Sequence, residues 1–169
     1  MKTLIILSHS SFESSVVNKA LAEAAGSVKN VTIRHLERMY GHDAEKINVE
    51  EEQTALLAAD RIIFQFPVYW FNMPPMLKAY MDRVFLHGWA YGTGGDKLKG
   101  KILQAAVSTG APKEAYENPS LSDVFMMLRA SAGYMGMHYA GPFATYGCLG
   151  MSSEQLAENV KSYVAMLQG

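Results

Sequence analysis

Three stretches of this chain carry side chains whose types and spacing suit chemistry. The first is His9-Ser10-Ser11-Phe12-Glu13-Ser14-Ser15-Val16-Val17-Asn18, a hydroxyl-rich run that passes straight into a helical pattern. The free N–H groups and the dipole at a helix start suit a phosphate. Ser15 and Asn18 would add side-chain donors, and His9 a hydrogen bond or a charge. Ordinary N-capping by Ser14 or Ser15 explains the same run equally well. The second stretch is Phe66-Pro67-Val68-Tyr69-Trp70-Phe71-Asn72-Met73-Pro74-Pro75. Three consecutive aromatics in a loop stiffened by prolines suit a flat ligand, because aromatic faces stack on planar rings. Capping of the core or a dimer contact is the plainer use, and a ligand platform is the favoured one. The third is Ser108-Thr109-Gly110-Ala111-Pro112, followed by Tyr116. Successive backbone N–H groups on small residues make a cradle for a carbonyl or a developing anion, although a simple turn has the same composition.

Other chemistries find little support. No Gly-x-Gly-x-x-Gly or Gly-Lys-Ser/Thr motif is present, and Ser8, Ser10 and Ser11 form no Gly-x-Ser-x-Gly elbow. His35, His42, His87 and His138 lack metal-ligand spacing, and the lone Cys148 has no partner, so neither a metal site nor a disulfide is expected. A net charge of −1 over 169 residues argues against nucleic-acid binding. One cysteine suits a reducing compartment, and the apolar run Leu4–Leu7 is too short for a signal peptide or a membrane span. The expected location is the cytoplasm. Apolar residues make up 49% of the chain and charged ones 18%, which leaves more apolar surface than one small core needs to hide.

The elements that must position these stretches alternate. Short β-type runs occur at Thr3–Leu7, Val31–His35, Arg61–Phe66, Ile102–Val107 and Tyr139–Tyr146. Helical spacing follows each: Val17, Leu21 and Ala24; then Glu50 to Ala59; then Met76 to Phe85; then Leu121, Val124, Phe125 and Leu128; and finally Leu156 to Leu167. Ser120 with Asp123, and Ser152 with Gln155, read as capping boxes, and Asn72 ahead of Met73-Pro74-Pro75 marks another helix start. With neither repeats nor a linker, residues 1–169 are expected to form a single domain. Five βα units predict an α/β fold, a doubly wound five-stranded parallel sheet with helices on both faces. The flavodoxin-like order 2-1-3-4-5 is favoured over the six-stranded dinucleotide fold. In that order ligands bind beyond the carboxyl ends of the strands near the switch point, where the three stretches fall.

Taken together, Gln65-Phe66-Pro67-Val68-Tyr69-Trp70-Phe71-Asn72-Met73-Pro74-Pro75, then Lys78, Asp82-Arg83-Val84-Phe85 and His87-Gly88-Trp89-Ala90-Tyr91-Gly92, resemble the flavodoxin-like NAD(P)H:quinone oxidoreductases. Small bacterial members, including ancillary subunits of glutathione-gated potassium efflux systems, are the nearer match, which covers nearly the whole chain. The resemblance implies a flavin. His9, Ser15, Val16, Val17 and Asn18 would hold its phosphate and ribityl chain, and Pro67, Val68, Tyr69, Trp70 and Phe71 would run along its ring. Ser108, Thr109, Gly110 and Ala111 would face the pyrimidine side, and Tyr116 would polarise the flavin or the substrate oxygen. Larger members pair that tyrosine with a histidine six residues on, where this chain has Ser122, and Gly110-Ala111 stands where relatives often have two glycines. FMN is implied rather than FAD, because about two dozen residues separate strands 2 and 3 and leave no room for an adenosine-binding insertion. The family implies a homodimer in which Trp89 and Tyr91 close the partner's pocket. It also implies ping-pong hydride transfer from NAD(P)H through the flavin to a quinone or similar planar acceptor. The alternative is a regulatory subunit of an efflux system. A flavodoxin-type electron carrier would be more acidic than this chain.

Overall fold

A computed structural model describes all 169 residues. Strands β1 (Thr3–Leu7), β2 (Val31–His35), β3 (Arg61–Pro67), β4 (Ile102–Ser108) and β5 (His138–Thr145) form one sheet in the order β2-β1-β3-β4-β5. Every pairing is parallel. Strands β1 and β3 are buried along their whole length, whereas the edge strand β2 is only partly covered.

Alternation along the central strands divides the interior in two. Ile5, Leu7, Ile63 and Ala106 face one layer, packed under α1 (Val17–Gly26) and α7 (Ser153–Gln168) through Leu21, Tyr163 and Leu167. Leu4, Ile6, Ile62, Phe64, Phe66 and Val107 face the other. That larger layer lies under α3 (Val49–Ala58), α4 (Pro75–Val84), α5 (Leu121–Val124) and α6 (Met126–Tyr134).

Five details depart from the sequence reading. Strands β3 and β4 run on to Pro67 and Ser108, so both residues sit in the ladder and are paired with each other. Strand β5 starts at His138 and ends at Thr145, which releases Tyr146 into the following loop. The single helix expected from Leu121 to Leu128 is broken at Phe125 (φ −99°, ψ 22°), whose ring is fully buried edge-on to Phe66 at 5.4 Å. Asn72 does not cap α4. Its Oδ1 accepts from the Met73 N–H (2.8 Å), and the helix starts at Pro75, whose ring keeps Pro74 extended (φ −58°, ψ 149°). A short helix not anticipated, α2 (Leu36–Tyr40), follows β2, and five residues are too few to show a period. Both capping boxes are present as expected.

Candidate active site

The first loop leaves β1 and enters α1 through a 3₁₀ turn at Phe12–Ser14. The Asn18 N–H donates to Ser15 Oγ (3.2 Å), so the serine does act as a cap. Val17 and Asn18 are buried, while Val16 is exposed. His9 is held tightly. Its N–H donates to Glu37 Oε2 (3.0 Å), the Ser8 hydroxyl donates to Glu37 Oε1 (2.7 Å), and its ring Nδ1 accepts from the Ser11 N–H (3.1 Å). A ring whose Nδ1 accepts carries its proton on Nε2. Burial lowers the His9 pKa, opposed in part by the Glu37 charge. Glu37 and His35 were missed in the sequence. With Arg38 and the loop serines they line a cleft of about 400 Å³ beside His9.

The second loop follows β3. The Val68 N–H donates to the Ser108 carbonyl (2.9 Å), so this loop begins on the strand next door. Tyr69 and Asn72 exchange both backbone hydrogen bonds at 2.9 Å, and Trp70 and Phe71 between them have φ of 48° and 57°. This is a type I′ turn, whose central positions favour Gly and Asn. Two aromatics in the left-handed region are strained by about 1 kcal/mol each or more. Trp70 is 95% exposed, so burial within the chain does not repay that strain.

The third loop is fixed to the chain after β5. The Thr109 N–H donates to the Thr145 carbonyl, the Cys148 N–H to the Thr109 carbonyl and the Gly147 N–H to the Ala111 carbonyl, each at 2.9 Å. The expected cradle therefore narrows, because Thr109 has spent its N–H and only Gly110 and Ala111 keep theirs free of protein partners. A side chain at Gly110 would press on Leu149, 3.2 Å from its Cδ1. Tyr116 stands between the Phe71 ring (6.0 Å) and the Tyr146 ring (5.8 Å), and it therefore joins the second and third loops. Tyr146, read in the sequence as the end of a strand, shares a groove with Tyr116 and Ser122. Trp89 and Tyr91 lie elsewhere. Trp89 packs on the larger core layer, and the aromatic neighbours of Tyr91 are His87 and Tyr134, outside the three loops.

Under the loops runs a buried polar chain. The Tyr163 hydroxyl donates to Gln65 Oε1 (2.9 Å), Gln65 Nε2 donates to the Asn18 carbonyl (3.0 Å), and Asn18 Nδ2 donates to Ser108 Oγ (2.7 Å). Asn18 Oδ1 is buried without a partner. A helix start with capping serines, an orphaned amide oxygen, two free N–H groups and an exposed, strained indole together suit a phosphorylated ligand with a flat polar ring. FMN fits that description.

A family profile described as a flavodoxin-like fold matches residues 1–167. Among curated proteins, the uncharacterized NAD(P)H oxidoreductase YdeQ of Bacillus subtilis is 43% identical, over 97% of this chain and 85% of its own. The glutathione-regulated potassium-efflux system ancillary protein KefF of Klebsiella pneumoniae is 38% identical, over 95% and 91%. Among solved structures, general stress protein 14 of Treponema denticola, in complex with FMN, superposes with a TM-score of 0.91 at 34% identity, covering 99% of this chain and 98% of that one. An NADPH-quinone reductase from P. pentosaceus does so with a TM-score of 0.88 at 31% identity, covering 98% and 97%. The chain belongs to the flavodoxin-like fold family, and relatives within it are NAD(P)H oxidoreductases.

Proposed function

We propose that this protein is a flavin-dependent NAD(P)H:quinone oxidoreductase that binds FMN at the carboxyl edge of its sheet. The observation that carries this reading is the exposed Trp70-Phe71 turn, held in a strained conformation directly beside a helix start and a pair of free N–H groups. Strain of this kind persists where it serves a ligand. The FMN complex of the Treponema denticola relative supports the choice of cofactor. So does the connection from β2 to β3, which α2, a 3₁₀ turn and α3 use up without an added lobe.

When bound, FMN supplies two-electron hydride chemistry, accepting from NAD(P)H and passing hydride to a planar acceptor such as a quinone. The residues position and polarise. Ser15 and the backbone N–H groups of Val16 and Val17 hold the phosphate, with Asn18 fixing Ser15 through its own N–H, and His9 presents Nε2–H as a neutral donor. Val68 to Phe71 cover the ring. The N–H groups of Gly110 and Ala111 face negative charge that develops at the ring's polar edge. Tyr116, braced by Phe71 and Tyr146, donates to the oxygen of the acceptor. Ser122 stands where a histidine would complete a proton relay, so proton delivery falls to Tyr116 and solvent. Trp89 and Tyr91 close the pocket of a second copy in a cytoplasmic homodimer; exposed Phe71, Met126 and Tyr134 give that dimer apolar surface to cover. The likeness to KefF favours a second role, compatible with the first, as an ancillary subunit on a potassium efflux protein.

The purified protein should be yellow, bleach anaerobically with NADPH or NADH, and regain colour on addition of a quinone. A colourless protein that takes up neither FMN nor FAD overturns the reading. Turnover with each nucleotide sets the donor preference, and sedimentation equilibrium tests the dimer.

A further inference from the structure

Gln65 is a fully buried amide between Phe64 and Phe66 in β3, a placement that costs stability unless both ends of the amide are paired. Both ends are paired, and the pairing has a direction. Tyr163, on α7, is itself fully buried, and burial raises its pKa, so its hydroxyl remains a donor at every working pH. It donates to Gln65 Oε1, and Gln65 Nε2 donates to the carbonyl of Asn18 in the first turn of α1. Asn18 Nδ2 then donates to Ser108 Oγ. Ser108 is the last residue of β4, level with Pro67 on one side and Thr145 on the other, at the rim of the site. Its hydroxyl accepts one bond and has no acceptor of its own within the protein. The bonds run along the face of the sheet that α1 and α7 cover, and they end on a hydroxyl at the rim.

We propose that Gln65 and Tyr163 are positioning residues that fix Asn18 and aim the Ser108 hydroxyl as a donor at an acceptor atom of bound FMN. Neither touches the cofactor. The pair acts by tying the first turn of α1 to β3, which holds the Asn18 side chain on Ser108 at the end of β4. The inference rests on the FMN reading above.

The test is a double-mutant cycle on FMN affinity, measured by flavin fluorescence titration together with the position of the flavin's visible absorption band and its midpoint potential. Tyr163→Phe is expected to raise the FMN Kd roughly three- to ten-fold, the size of one hydrogen bond, and to shift band and potential. Ser108→Ala is expected to shift them in the same direction, and Ser108→Thr, which keeps the hydroxyl, to restore them. The double variant should be no worse than Ser108→Ala alone, because both changes act through one hydrogen. Gln65→Met, which keeps the volume, asks the same question should Tyr163→Phe fail to fold. Additive losses, or a Tyr163→Phe protein with lower thermal stability but unchanged Kd, band and potential, would overturn the proposal. A wild-type protein that binds no FMN overturns the flavin reading and this one with it, and that outcome is recognised before any variant is made.

Discussion

Trp70 and Phe71 show the limits of reading single residues. Their types marked a ligand platform in the sequence, yet nothing in the letters announced positive φ, which glycine or asparagine would ordinarily signal. Replacing Trp70 by Gly separates the two roles of the position. The variant should gain about 1 kcal/mol of stability from relief of the left-handed strain, a rise in Tm of roughly 2–4 °C, while its hold on FMN weakens. Calorimetry with and without FMN checks both. Glu37 was illegible for another reason: a lone acid carries no motif, and the groups it binds lie 28 and 29 residues away. It faces two histidines of lowered pKa. His35 sits 3.6 Å from Glu37, with the Phe12 ring tilted against it at 4.5 Å, and Arg38, Glu13 and His9 are the other charged or titratable groups that act on it. Both histidines take up a proton less readily in the folded chain than in the unfolded one, where the ordinary value is 6.5. As pH falls through the ordinary histidine range the unfolded chain therefore binds more protons, and stability falls with it. Urea unfolding at pH 7.5 and 5.5 should reveal this slope, and His35→Asn should flatten it.

Among elements, α7 depends on one buried cation. Arg61 opens β3, and its guanidinium donates to the carbonyls of Met166 (3.0 Å) and Leu167 (2.7 Å) and to Thr3 Oγ1 (3.0 Å). A cation at a helix C-terminus answers the dipole as well as the unpaired carbonyls. Arg61→Met should cost about 2–3 kcal/mol, seen as a lower urea midpoint with an unchanged m-value. Because α7 carries Tyr163, FMN affinity should fall in the same variant. Nothing in the sequence distinguished Arg61 from any charge at a strand start. The capping boxes, by contrast, were plain, because Ser120 with Asp123 and Ser152 with Gln155 satisfy each other within four residues. The break at Phe125 stayed hidden because the apolar spacing continues across it.

For the molecule as a whole, the order β2-β1-β3-β4-β5 was readable from five βα units, and the convergence of the three loops follows from that order. The fourth contributor, the chain from Thr145 to Leu149, was not readable, since its hold on the Thr109–Ala111 segment is made by backbone groups that any residue possesses. The β1, β3, β4 and β5 connections bring to one edge residues that are far apart in sequence, so FMN should bind the folded state alone. At a hundred times its Kd, FMN should stabilise the protein by about 2.7 kcal/mol. Riboflavin, which lacks the phosphate, should stabilise it less at the same concentration. Equal shifts would remove the phosphate from the role of the α1 start.

The turn at Trp70 also makes the protein report on itself. The chain has two tryptophans, and one of them, Trp89, is partly buried against the core while the other stands almost wholly in water. Most of the long-wavelength indole emission of the free chain must therefore come from a single side chain lying where the cofactor would stack. Light absorbed there would pass to a neighbouring yellow chromophore instead of being re-emitted, so the dimming of one tryptophan would count occupied sites without any label.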